Sequence, residues 1–395
     1  MSWFDRFFGG RRERARRIKA ASADVAALLS AGDLAGAEAA LRPALLAEPD
    51  APELLHRAAD LMVRLGDTSL AELFARAADA TGDVQRAFEL GSNLLSREDA
   101  TLAAAVLLRA AEMAPFHAVL RSETAIALAR AGRPREVVET LALHPNLAGD
   151  PGALFEFAWA SLLMGDAEAA RGSRAQLASL GTAPRLLHKL EAALERPKLA
   201  PARRPADARD FYFLEHGGLL LDGRGEGGGR YGKVTLDQPT LEAILGRATT
   251  ALRELWTGPR RIIAGGAEDL PLAKAIAGAL DAELIEKVPG RVPSGLFVVR
   301  DAQELEAQVS RLGDDASEVF TFALFVQYGT SVARAPDIVG LLGREVVDPG
   351  LEPETWPAIE DAALEAFIRD RREHLPPEGN RVHTAYLPDA PLPWP

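Results

Sequence analysis

Five turn positions in the first half of the chain recur at a nearly fixed interval. Gly32, Gly66, Glu98, Gly132 and Gly165 are separated by 34, 32, 34 and 33 residues. A period of this length is the signature of a stacked array of small units, and it constrains the fold more than any local motif. Each position marks the bend between two antiparallel helices. Glycine suits a helix end because it takes positive φ without strain. The aspartate that follows four of the five can cap the next helix. Pro49, Pro115, Pro134 and Pro151 stand at helix boundaries, where a missing N–H costs little. Gly82-Asp83 lies outside the series and marks the junction of the second and third units.

Small residues keep the same phase. Ala37, Ala71, Ala103 and Ala170 each lie five residues after a turn, where a small side chain lets the two helices of a pair approach closely. Ala44, Ala78 and Ala110 occupy the next such position. A pair of this size cannot bury its apolar stripe alone, so neighbouring pairs stack.

This pattern, over about residues 21–182, resembles the tetratricopeptide repeat (TPR), a helix–turn–helix unit of about 34 residues. The first and third units match best. The fourth carries Val137 and His144 at its alanine positions, and the fifth carries Leu177. The resemblance implies a superhelix whose first helices line a protein-binding groove. Carried over, the groove residues are His56, Asp60 and Arg64, then Gln85, Phe88 and Ser92, then Ser122, Ile126 and Arg130. His56 and Asp60 do not match the lysine–asparagine clamp that some members use on C-terminal carboxylates, so a chaperone tail is not the implied ligand. A groove that only packs against the rest of the chain is the competing reading.

Residues 1–20 form a separate segment. Trp3, Phe4, Phe7 and Phe8 fall at helical spacing on one side, and Arg11, Arg12, Arg14, Arg16, Arg17 and Lys19 follow, against one acid, Glu13. The charges follow the apolar residues, which is the wrong order for a secretory signal. Aromatics beside a basic cluster suit an anionic membrane surface, whereas the plainer reading is a helix that packs on the first repeat. After residue 196 the composition changes. Pro197, Pro201 and Pro205 exclude a helix and mark a linker over 197–206.

Residues 207–395 obey a different period. Short apolar runs alternate with helical stretches, which predicts an α/β domain, so the whole is a helical-repeat solenoid followed by an α/β domain. The runs DFYFLEHGGLLLDG and RYGKVTLD read as two strands and a hairpin at its start. RRIIAGG, AELIEKV, SGLFVVRD and VFTFALFVQYG read as further strands. Helices are expected over 238–255, 269–280, 301–312 and 357–372. The tail HTAYLPDAPLPWP is expected to pack Tyr386 and Trp394 back on the domain.

Two motifs there suggest ligands. Gly227-x4-Gly232-Lys233 has the skeleton of a phosphate-binding loop, but Val234 stands where the Ser or Thr belongs, and an extended run follows instead of a helix. Residues 260–312 run strand, Gly265-Gly266 turn, helix, strand. They resemble phosphoribosyltransferase-like α/β domains, which implies cofactor or sugar-phosphate candidates at Gly265, Gly266 and Asp301. The paired-acid loop ending in Thr-Gly that this family needs is missing, since Arg300-Asp301 keeps one acid.

Composition removes other classes. A net charge of −12 opposes the phosphate backbone of nucleic acid. With no cysteine there is no disulfide, thiolate nucleophile or zinc–thiolate site, as expected of a cytoplasmic protein. The seven histidines are scattered, and no catalytic constellation or metal set is evident, so no cofactor is implied. The function that follows is a protein-interaction adaptor or scaffold, cytoplasmic, with peripheral membrane contact through residues 1–19. The alternative is an enzyme or a nucleotide or sugar-phosphate sensor in the second half, with the repeats recruiting a client.

Overall fold

The structure, a computed structural model, describes residues 3–97, 99–195, 208–222, 229–256, 260–286, 294–305, 319–327, 335–352 and 361–371. Side chains within 3–12 are not among them, and neither are Glu98, the linker 197–206, the glycine-rich loop 223–228 and the tail 372–395. Residue contacts divide the chain into two compact units. One spans Met1–Ser161 with Glu168–Ala183; the other spans Leu162–Ala167 with Pro184–Pro395.

The first unit is helical: α1 (Trp3–Ser30), α2 (Leu34–Ala47), α3 (Pro52–Arg64), α4 (Thr68–Asp79), α5 (Val84–Ser96), α6 (Ala100–Met113), α7 (Ala118–Arg130), α8 (Pro134–Leu141), α9 (Pro151–Leu163) and α10 (Ala167–Leu180). The glycine turn positions of the repeat each fall between the two helices of a pair. Gly32, Gly66, Gly132 and Gly165 take φ of 77°, 83°, 72° and 80°, the left-handed region that glycine enters freely. The capping follows the sequence too. Asp33, Asp67 and Asp99 accept the backbone N–H of Gly36, Leu70 and Leu102 at 2.8, 3.1 and 3.1 Å. Ala37, Ala71, Ala103 and Ala170 are all buried, as their phase requires. Gly91 of α5 allows the closest approach: a Cβ there would lie 2.5 Å from Cγ of Leu107 in α6.

Ion pairs join helices across the array. Arg42 of α2 binds Asp99 through both nitrogens at 2.7 Å, and Arg97 binds Asp67, so two N-cap aspartates also anchor another unit. Asp50 is held between Arg14 of α1 at 2.8 Å and Arg109 of α6 at 2.8 Å.

The second unit contains α11 (Pro184–Glu195). It is followed by α12 (Ala208–His216), β1 (Leu219–Leu220), β2 (Gly229–Thr235), α13 (Gln238–Leu255), β3 (Arg261–Ala264), α14 (Leu270–Leu280), β4 (Glu283–Ile285), β5 (Gly295–Asp301), β6 (Val319–Gln327), β7 (Ile338–Val347) and α15 (Ala362–Arg371). The strands form one parallel sheet in the order β1-β7-β6-β5-β3-β4, with β2 also on β7. Residues of β5, β6 and β7 pack on both faces of the sheet. Leu296, Val298, Phe322, Leu324, Ile338 and Leu341 join the core with α13, α14 and α15. Phe297, Val299, Ala323, Val339 and Leu342 join a second core with Tyr212 and Leu305. Burial on both faces is why these strands read as continuous apolar runs.

The expected hairpin is not formed. Residues 208–216 are helix, and β1 and β2 both pair with β7 in parallel, Leu219 beside Ile338 and Val234 beside Val346. The run FYFL fits either a strand or a buried helix by apolarity alone. Tertiary contacts select the helix: Arg209 donates to Leu221 O at 2.7 Å and pairs with Asp361 at 3.0 Å, and Tyr212 Oη donates to Pro336 O at 3.2 Å. The strand β7, which pairs with three others, was not among the expected strands; it runs through Gly340 and Gly343, a residue type that usually weakens a strand. Gly340 is there for space, since a Cβ would lie 2.4 Å from Leu324 O and 2.5 Å from Cγ2 of Ile244.

Candidate functional site

The nine groove residues sort into three groups. His56, Asp60 and Gln85 are exposed on α3 and α5, with only surface partners: Asp79 lies 3.4 Å from His56, Arg57 2.9 Å from Asp60 and Glu89 3.3 Å from Gln85. Phe88 and Ile126 are half-buried against the repeat core, and Ser92 is half-buried, its Oγ covered and without a hydrogen bond.

Arg64, Arg130 and Ser122 are engaged in packing. Arg64 Nη1 donates to Leu29 O at 2.9 Å, and Arg130 Nη1 donates to Leu95 O at 3.4 Å. Each reaches back 35 residues to the last turn of the preceding first helix. Carbonyls there lack an intrahelical partner, and a cation complements the helix C-terminus. Ser122 belongs to a hydrogen-bonded knot. His144 Nε2 is 3.2 Å from Ser122 Oγ and 3.7 Å from Asp150, Ser122 Oγ donates to Asp150 at 3.5 Å, and His144 Nδ1 accepts from Asn146 N at 3.2 Å.

The knot has the residues of a nucleophilic triad with the wrong wiring. A general base needs a bare nitrogen facing the serine. Here Nδ1 is the acceptor, so the neutral ring carries its proton on Nε2 and donates toward Ser122 and Asp150. The cluster therefore ties α7 to the segment before α9. Its one sequence signal was His144 at a position where the repeat expects alanine. Beside it Phe116, Val119 and Leu143 are 76%, 60% and 51% exposed. Val119 precedes Ser122 by one helical turn, and Leu143 is next to His144.

In the second unit the candidate positions meet at the carboxyl edge of the sheet. The chain goes from β3 outward to β4, then returns to β5 on the other side of β3, so the topological switch point lies between β3 and β5. Gly265 and Gly266 leave β3 there, and Asp301 ends β5. Asp269, fully buried before α14, accepts Gly266 N at 2.7 Å and Arg300 N at 2.6 Å. It thereby fills the place an anion would take, and the Gly266 amide is already used. Gly265 is required by closeness: a Cβ would lie 2.7 Å from Cγ1 of Val299 and 2.8 Å from Asp269 Oδ2. Asp301 accepts Gln303 N at 2.9 Å and Gln327 Nε2 at 3.1 Å. The Arg300 guanidinium turns away and grips Asp348 with two bonds of 2.8 Å.

Glu304, on the helical turn 302–305, is hydrogen-bonded to Asp269. Burial, then the negative charge of Asp269 and its hydrogen bond, push Glu304 up to about 8. Burial also raises Asp269, while its bonds from Arg300 N, Glu304 and Gly266 N work the other way. Both carboxyl groups are pushed up, burial being the largest cause for each, so the pair shares a proton. Sequence reasoning could not pair these two acids, which lie 35 residues apart. Among the described residues no group of three or more His, Asp or Glu is arranged to hold a metal ion.

No protein-family model matches the sequence, and no curated protein matches it. Solved structures do. MamA AMB-1 in its P212121 crystal form is 21% identical over 42% of this chain and 93% of that chain, with a TM-score of 0.28. MamA MSR-1 in its C2 form is 20% identical over 42% of this chain and 97% of that chain, with a TM-score of 0.27.

Proposed function

We propose that this protein is an interaction scaffold whose TPR-like helical unit recognises another protein. The observation that carries the reading is the exposed surface on α3 and α5 and around α7 and α8. His56, Asp60 and Gln85 face solvent, and Phe116, Val119 and Leu143 expose large apolar area that the unit's own core does not need. The repeat period and the buried alanines support an array built to present such a surface. Arg64 and Arg130, also expected in the groove, each donate to a carbonyl one unit back.

The test compares the full chain as bait with two variants, His56→Ala/Asp60→Ala/Gln85→Ala and Phe116→Ser/Val119→Ser. Exposed substitutions of this kind change stability by less than about 0.5 kcal/mol, so both variants should melt as the parent does. Specific partners should be lost from at least one of them. An unchanged set of captured proteins in both would sink the reading.

We infer that peripheral membrane contact through this segment uses fewer charges than the sequence suggests. Arg14 pairs with Glu48 and Asp50, and Arg17 lies 3.6 Å from Glu48, while Arg16 and Lys19 are exposed. Among the described residues no helix is long and apolar enough to cross a membrane. Flotation with anionic vesicles should show salt-sensitive binding that deletion of residues 1–12 removes. Equal flotation of the truncated chain would dispose of this part.

A further inference from the structure

The Asp269–Glu304 pair has no place in the interaction reading. Asp269 Oδ2 holds the turn that leaves β3, through Gly266 N, and Oδ1 holds the end of β5, through Arg300 N. These strands are direct neighbours, Ile263 beside Phe297 and Ala264 beside Val298. Glu304 comes from the turn that follows β5, so its bond to Asp269 joins the two sides a third time. Two carboxyl groups can bond this way only while they share a proton.

We propose that the Asp269–Glu304 pair is a proton-operated latch at the switch point: the shared proton holds the Gly265–Gly266 turn against the 302–305 turn, and its loss releases them. Among the described residues two further acids act on Glu304 in the same direction. Glu268 precedes Asp269 on the same turn, and Asp301 ends β5; both add to the repulsion on Glu304. The guanidinium of Arg300, whose backbone N–H is bound by Asp269, is itself held by Asp348 and Leu351 O. Glu304 is half-exposed, so the proton exchanges with solvent without unfolding. Because Glu304 titrates near 8, the latch is closed in neutral solution and opens under mildly alkaline conditions.

The sign follows from linkage. Between the ordinary glutamate range and about 8 the folded chain binds a proton that the unfolded chain has lost. The stabilisation is complete below the unfolded value and disappears as pH rises through the folded one. Glutamine in place of Glu304 donates to Asp269 at every pH and removes the dependence.

Hydrogen exchange on the full-length chain tests this directly. Peptides spanning 263–272 and 298–305 would be followed from about pH 6 to about pH 9.5, an interval that brackets the Glu304 value, with intrinsic rates divided out. Protection in the parent chain should fall about a hundredfold across it, because about two pH units of linkage lie between about pH 6 and the Glu304 value near 8. Glu304→Gln should stay flat. The same fall in both proteins would overturn the latch. If Glu304→Gln does not fold, carbon-13 titration of the parent's carboxyl groups decides: every glutamate titrating in the ordinary range, about 4.3, would overturn it, and one near 8 would support it.

Discussion

Replacing Gly340 by valine is expected to unfold or severely destabilise the second unit. Gly340 lies within β7, the strand bordered by β6 on one side and by β1 and β2 on the other. A Cβ there would meet Leu324 O at 2.4 Å and Ile244 Cγ2 at 2.5 Å. The first atom is backbone of a paired strand, and it cannot retreat without breaking the ladder. The second belongs to a buried side chain of α13, with no room behind it. Overpacking in a core typically costs 1–3 kcal/mol, and a backbone obstacle places this substitution at about 3 kcal/mol or more. Against a total stability of order 10 kcal/mol, that is a large fraction. Denaturant titration of Gly340→Val should show it, and Gly340→Ala should show a smaller loss of the same sign. In contrast, Gly278→Ala on the exposed side of α14, with nothing within 4 Å, should stabilise by about 0.5–1 kcal/mol. Parental stability in Gly340→Val would disprove the close approach of α13 to β7.

The second large effect tests the repeat packing. Leu107 is fully buried on α6, and its Cγ lies 2.5 Å from where a Cβ on Gly91 would be. Leu107→Ala should cost about 3 kcal/mol, lost transfer energy plus a cavity. Gly91→Ala sets two terms against each other. Alanine gains about 1 kcal/mol of helix propensity, while the overlap with Leu107 costs about 1–3 kcal/mol, so the net change is destabilising. In the Leu107→Ala background the overlap is gone and the new methyl fills part of the cavity. Gly91→Ala should then stabilise. That reversal of sign in a double-mutant cycle is the diagnostic result. Additive effects would mean that α5 and α6 do not meet at Gly91.

The two halves were legible in the sequence to different degrees. In the repeats the information is local. A glycine at positive φ, an aspartate accepting the third N–H of its helix and an alanine five residues on are all decided within one turn of chain. The period therefore placed each helix pair. Groove residues were less legible, because exposure depends on the neighbouring unit. Arg64 and Arg130 look like free cations in sequence, yet both reach carbonyls one unit back. Ser122 is engaged by His144 and Asp150, more than 20 residues away, and only the atypical His144 hinted at it.

In the second unit, α13 and α14 were readable from their aspartate starts and helical spacing, and β3, β5 and β6 from continuous apolar runs. The first element was not, since four apolar residues in a row satisfy a helix and a strand equally. By itself the sequence determined the repeat period, the alternation of strand and helix that follows it, and the exclusion of cysteine chemistry. Tertiary structure decided what depends on residues distant in the chain. It set β7 between β6 and the two short strands because Gly340 lets α13 come close, and it turned 208–216 into helix through contacts to Leu221, Pro336 and Asp361. It also brought Asp269 to Glu304. A carboxyl group's protonation depends on burial and neighbouring charge, and both exist only once the chain has folded.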